Sequence, residues 1–232
     1  MPHSPAEDDF TPDRLVDLAE RLTRAEAETG SLPGIVQLGH PVLRARALDY
    51  SGQLGDELLG RLLATMRKVM HAAPGVGLAA PQLGLPLRLA VMEDLFPVDP
   101  ATAEARGRTP LEYFAAVNPG YSAVGARTSS HFEGCLSFAG FTAVVERPEE
   151  IEARYTGPDG TGVVRSLRGW PARIFQHEAD HLDGTVYIDR AVSRSLCTSE
   201  AYAARWQEPR PDAAARGLGF ALRVAEDDAG AS

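Results

Sequence analysis

The sequence predicts an α+β fold, with mostly antiparallel sheets packed around one central helix. Three observations carry this. Two amphipathic helical patterns come early in the chain, and a series of short strand patterns follows. Two of those strands are joined by the strong turn signal Gly157-Pro158-Asp159-Gly160. A last helical pattern over residues 171–182 carries polar groups on a face that must look inward, because such groups need partners to orient them.

The chain has 232 residues, enough for one domain with a substantial core or a domain with appendages. Its net charge is 23 − 32 = −9, which argues against a broad footprint for nucleic acid. No apolar run approaches the ~20 residues of a membrane span, so no membrane partner is expected. The start is polar and acidic and lacks a signal pattern. Two distant cysteines make no disulfide framework, and a reducing, cytoplasmic setting is expected.

The expected organisation is an N-terminal extension with one helix (1–33), a catalytic domain (34–190) and a partly helical or loose tail (191–232). Residues 1–10 read as a disordered start. Thr11-Pro12 reads as an N-cap followed by proline at the first helical position. Leu15, Leu18, Ala19 and Leu22 form the apolar face, and Gly30 ends the helix. His40 beside Pro41 reads as a turn residue. Residues 56–71 form a second helix, with Leu58, Leu59, Leu62, Leu63, Met66, Val69 and Met70 on its buried side. The small-residue stretch 75–84 reads as a tight turn and a buried strand. Strands are expected at 87–92, 114–118, 142–145, 150–155, 162–167 and 186–188. Residues 94–112 read as a long loop, Pro119-Gly120 as a strand end, and 125–131 as a polar loop. The chain ends on the charged Glu226-Asp227-Asp228.

The chemistry centres on Gln176-His177-Glu178-Ala179-Asp180-His181-Leu182-Asp183-Gly184. On a helix, residues four apart lie on one face with Cβ atoms about 5–6 Å apart, so His177 and His181 reach one metal ion. Glu178 then reaches a water beside it, the metallohydrolase arrangement of two ligands and a general base. The competing reading is a surface helix that holds two histidines by chance. A catalytic metal usually has three protein ligands and an open position. Candidates for the third are Cys135, Cys197, another histidine or a carboxylate. Cys197 reads as a free thiol in the tail.

Three stretches together resemble peptide deformylase. They are Gly75-Val76-Gly77-Leu78-Ala79-Ala80-Pro81-Gln82, Glu133-Gly134-Cys135-Leu136-Ser137, and the His177 stretch, in the family's order. The resemblance runs from about Ile35 to Arg190, including Asn118-Pro119 and Ile188-Asp189-Arg190. It implies a peptide-deformylase-like fold with antiparallel sheets around the metal helix. It implies that Cys135, His177 and His181 bind one divalent metal ion, Fe(II) in the native state, with zinc, nickel or cobalt as substitutes in purified protein. The implied reaction is hydrolysis of the formyl group from formyl-methionine on nascent peptide N-termini, with the ribosome as a further partner to test. The resemblance assigns proton transfer to Glu178, and stabilisation of the developing oxyanion to the Gln82 amide and the Leu136 backbone N–H. Gly77 and Val76 would bind the substrate as an added strand.

The sequence departs from the usual pattern at Phe138-Ala139-Gly140-Phe141-Thr142 and at Ala179, which bears on pocket shape and helix packing. Trp170 and Ile174 either line the pocket for the first side chain or pack the core. Two other classes remain. A zinc endopeptidase would take a third ligand downstream, such as Glu200. A non-catalytic protein with a structural metal would close its site with a fourth ligand.

Overall fold

The structure is a computed structural model that describes residues 10–222. The disordered start read at residues 1–9 and the charged end at Glu226-Asp227-Asp228 lie outside the described residues.

Helix α1 (Pro12–Thr29) starts at Thr11, whose side chain accepts from the Arg14 N–H, and stops at Gly30. It buries Leu15 and Ala19 against α2 (Gly55–Ala72). The strands follow as β1 (Gly77–Ala79), β2 (Leu89–Asp94), β3 (Leu111–Ala123), β4 (Thr128–Cys135), β5 (Phe138–Pro148), β6 (Glu150–Thr156) and β7 (Gly162–Arg168). Helix α3 (Pro100–Arg106) lies between β2 and β3, and α4 (Gly169–Leu182) follows β7. The chain then forms β8 (Cys197–Thr198), α5 (Ser199–Arg205) and α6 (Asp212–Leu218).

The strands named here pair antiparallel, in one sheet ordered β1-β2-β3-β6-β7 and a second ordered β4-β5-β8. Strand periodicity decides which face meets which helix. Leu78, Leu89, Val91, Ala115 and Val117 join the core cluster with α1 and α2. Their neighbours Ala79, Ala90, Met92 and Ala116 join the cluster with α4. Across β1, β2 and the middle of β3 the face toward α4 thus carries alanine at 79, 90 and 116, while Leu111, Ile151 and Leu167 fill the rest of it. On its other side α4 packs against β5. Eleven of its 14 residues are buried, so α4 has almost no solvent face. A helix buried all round must be sandwiched, and this one lies between the two sheets.

The structure corrects several expectations. The 94–112 stretch holds α3, capped by Asp99, whose carboxylate accepts from Thr102 N–H, with Pro100 at the first position. Pro119-Gly120 does not end a strand. β3 runs on through a register shift between Val117 and Gly120, with Asn118 at φ 50°. The Asn118 side chain accepts from Tyr50 N–H and donates to Tyr50 C=O, which supports that unusual backbone. The polar stretch before Glu133 belongs to β4, paired along its length with β5. Residues 187–189 form a 3₁₀ turn in place of a strand. His40 is a turn residue as read: its Nδ1 caps the short 3₁₀ helix at Val42 N–H. No helix of the described residues is long and apolar enough to cross a membrane.

The turn after α4 tests this packing. Gly184 sits at φ 73°, and a Cβ there would meet the Arg44 backbone at 2.8 Å. Gly184→Ala combines left-handed strain with a backbone clash and should destabilise by about 2–4 kcal/mol. Denaturant unfolding followed by circular dichroism reads this directly, and an unchanged midpoint would refute it.

Candidate metal centre

Helix α4 projects His177 and His181 to one side, one turn apart, with ring centroids 5.0 Å from each other. The last residue of β4 meets them: Cys135 Sγ lies 3.2 Å from His181 Nε2. One donor atom from each of Cys135, His177 and His181 lies within 4.8 Å of the others. Two metal–ligand bonds of roughly 2.0–2.3 Å set that scale. Among the described residues this cluster takes its third donor from Cys135. Cys197 and Glu200 stand outside it, so neither the tail thiol nor a downstream carboxylate joins it.

The donors are oriented from behind. His177 Nδ1 lies 3.0 Å from Glu133 Oε2, which leaves Nε2 for the centre. Glu133 also accepts two bonds from Arg147, at 2.6 and 3.0 Å, and one from Arg173 at 2.6 Å. Arg147 reaches on to Asp180 at 2.8 Å. Asp180 in turn accepts from Arg190 and from the Tyr121 hydroxyl. Burial pushes the Glu133 carboxyl up, but Arg147, the His177 contact and Arg173 outweigh this and hold it well below the usual range. It is an anion at neutral pH. Burial also disfavours a charged His177, yet the Cys135 and Glu133 contacts lift it well above its ordinary value. The position between Cys135 and Glu133 thus favours positive charge. His181 is pushed well down by burial, then by His177 and Arg147, and keeps a neutral ring. A neutral imidazole, a thiol beside a cationic position and a buried carboxylate behind it fit a divalent ion.

Glu178 is 4% exposed, and its Oε2 has no hydrogen-bond partner. Burial, opposed by His177 and Arg147, pushes its carboxyl up to about 7. Gly77 passes directly over it: a Cβ at Gly77 would lie 2.6 Å from Glu178 Cδ and 2.7 Å from Cγ, and closer still to Oε1. Only glycine permits this approach. Gln82 is 1% exposed. Its Oε1 accepts from Ala79 N–H, and its Nε2 faces Ser137 Oγ at 3.3 Å and Cys135 Sγ at 3.7 Å. The Leu136 carbonyl accepts from Gln37 Nε2. Val76 and Gly77 line the same cleft, of about 860 Å³, as Gln82, Cys135, His177 and Glu178. Trp170 and Ile174 line it too, while Ile174 also belongs to the core.

The structure thus brings Val76, Gly77, Gln82, Cys135, Leu136, His177 and Glu178 to one cleft, with His181 joined to Cys135 and His177 in the donor cluster, and leaves Cys197 and Glu200 apart. Sequence reading missed the supporting set. Glu133 stood inside a quoted motif without a role, and Arg147 fell between the expected strands 142–145 and 150–155, where the structure extends β5 to Pro148. The available signal was the charged pair Glu146-Arg147 directly after the apolar run Ala143-Val144-Val145. Asp180 stood unassigned between the two histidines.

The polypeptide deformylase family model matches residues 33–196. Peptide deformylase 3 of Streptomyces avermitilis is 52% identical over 205 residues, covering 88% of this chain and 91% of that protein. Peptide deformylase 1 of Streptomyces coelicolor is 50% identical over 212 residues, covering 91% and 97%. The crystal structure of peptide deformylase from Thermotoga maritima superposes with a TM-score of 0.59 at 37% identity, covering 69% of this chain and 98% of that one. A Met-Ala-Ser-bound peptide deformylase from Acinetobacter baumannii gives 0.62 at 29% identity, covering 69% and 98%. The family is metal-dependent, which agrees with the donor cluster. The chain belongs to the polypeptide deformylase family, as an enzyme that removes the N-terminal formyl group from newly made polypeptides.

Proposed function

We propose that Cys135, His177 and His181 hold one divalent ion, Fe(II) in the native enzyme, and that Glu178, Gln82 and Leu136 carry out deformylation beside it. The observation that carries this is the convergence of those donors with a buried, unpartnered carboxylate in one cleft. A thiolate with two imidazoles suits both iron and zinc, and raw affinity favours zinc. The Fe(II) assignment rests on the family resemblance.

When bound, the ion supplies Lewis acidity and brings the pKa of water toward 7. Glu178 would accept a proton from the attacking water at its unpartnered Oε2 as the water oxygen bonds to the formyl carbon, and would return it to the amine nitrogen as the carbon–nitrogen bond breaks and formate leaves. The Gln82 Nε2–H and the Leu136 backbone N–H donate to the formyl oxygen as charge builds there. Gln82 is suited to this because Ala79 N–H fixes its Oε1, which directs its Nε2 toward Cys135. β1 is an edge strand, so Val76 and Gly77 offer backbone to an extended peptide. The Met-Ala-Ser peptide bound by the Acinetobacter enzyme supports a formyl-Met-Ala-Ser type of substrate here. Residues 34–190 form the catalytic domain in this reading, with 1–33 as an N-terminal extension and 191–232 as a tail. The family match over 33–196 supports that division. Its place is the cytoplasm, where formylated chains leave the ribosome.

The direct test is formate release from formyl-Met-Ala-Ser by anaerobically prepared, Fe(II)-loaded protein, with the acetylated peptide as control. Release from the formyl peptide alone is expected. Chelation should abolish it and Fe(II) should restore it. Glu178→Ala should bind metal normally and lose about 10²–10⁴-fold in kcat, and unchanged turnover would remove Glu178 from its role. Only the ionised carboxylate accepts a proton, so wild-type kcat/KM should fall as pH drops through an acid limb at or below pH 7. Gly77→Ala should displace the Glu178 carboxylate and cost at least about 10²-fold in kcat. Metal content measured alongside turnover separates that effect from misfolding.

A further inference from the structure

Glu178, Ile174 and Trp170 stand four residues apart along α4. At 1.5 Å per residue, Ile174 lies about 6 Å and Trp170 about 12 Å along the axis from Glu178. All three line the cleft that holds His177. A first side chain leaving the reacting centre in that direction would run along Ile174 toward Trp170. What stands at the far end therefore limits its length.

Two groups from separate segments stand there. Arg106, the last residue of α3, has its guanidinium over the Trp170 ring at 5.2 Å. It donates to Tyr202 Oη at 3.2 Å and to the Pro209 and Glu208 carbonyls at 3.3 Å each. Tyr202, on α5, packs its ring 4.9 Å from that of Phe132. Arg106, Tyr202 and Phe132 all line the cleft. Five contacts therefore fix an arginine and a tyrosine across one end of it. Tyr202 lies beyond residues 33–196, so this wall is built partly by chain outside the family match.

We infer that the Arg106–Tyr202 pair closes the far end of the pocket for the substrate's first side chain and sets the length of side chain that the enzyme accepts. This rests on the deformylase reading of the cleft. The pair is a specificity wall, apart from the reacting atoms. Its alternative is a purely structural clasp that ties the tail to α3. The two differ in one respect: a clasp has no reason to change the preference between two substrates.

The experiment compares kcat/KM for formylated tripeptides carrying norleucine, a close match to methionine in length, or 2-aminodecanoic acid, about twice as long, at position one. The enzyme is the Fe(II)-loaded full chain. Wild type should favour norleucine strongly. Tyr202→Ala should raise the long-to-short ratio by at least about tenfold, since each methylene in such a pocket is worth roughly that much. The gain should appear as a lower KM for the long peptide. Arg106→Met should move the ratio the same way, and Tyr202→Phe, which keeps the ring, should keep the wild-type ratio. A ratio within about twofold of wild type in both folded Tyr202→Ala and Arg106→Met would overturn the inference. If Tyr202→Ala does not fold, Tyr202→Leu and Arg106→Met decide on the same criterion. Wild type that cleaves both peptides equally refutes the length limit and leaves the deformylase reading intact. Wild type that cleaves neither removes the deformylase reading and the inference with it.

Discussion

The Glu133 carboxylate is the constraint on which the rest of the centre depends. It is almost fully buried, and it is shared by Arg147 from β5, Arg173 from α4 and the His177 ring. A carboxylate in that position would be far too costly without partners. The partners must arrive from different elements, so the carboxylate specifies how β4, β5 and α4 meet. Asp180 repeats the device one helical turn further along, through Arg147 and Arg190. Glu133 and Asp180 balance the buried Arg147 and Arg173, and Arg190 closes the network at the surface. Buried ion pairs are weak evidence of net stability, and apolar replacements of similar volume often do as well. What this network provides is orientation: it leaves His177 one nitrogen for the centre.

Much of the molecule was legible in the chain. α1 and α2 have apolar stripes at helical spacing, and a capping threonine and a terminal glycine mark the bounds of α1. The His177 helix was legible from its ligand spacing and Pro171. What escaped depends on partners distant in sequence. The Pro119-Gly120 pair ordinarily ends a strand, but here Asn118 clamps Tyr50 and β6 takes up the shifted register. The polar run before Glu133 gives no alternation to read, because β4 owes its extended form to pairing with β5. α3 has no buried residue and therefore no apolar stripe. Its ends were the marks it left, the cap at Asp99-Pro100 and the left-handed Gly107.

The candidate site divides the same way. Its reacting groups cluster in short motifs, since helix and turn geometry bring them together locally. Its supporting groups are scattered, since a buried charge accepts a partner from any element that reaches it. Gly77 belongs to both sets. Its backbone lies at the sheet edge, and its missing side chain leaves room for Glu178 from α4.

The two-sided burial of α4 bears on how such a chain can drift. A helix with one packed face can change freely on the other. α4 has sheets on both sides, an apolar layer on one and a charge network on the other, so nearly every substitution along it meets a neighbour. Divergence in chains built this way is pushed outward, to exposed segments such as α3 and the stretch after β8. Those segments also form the rim of the cleft. The architecture therefore puts its most constrained helix behind the donor cluster and its least constrained segments at the cleft mouth.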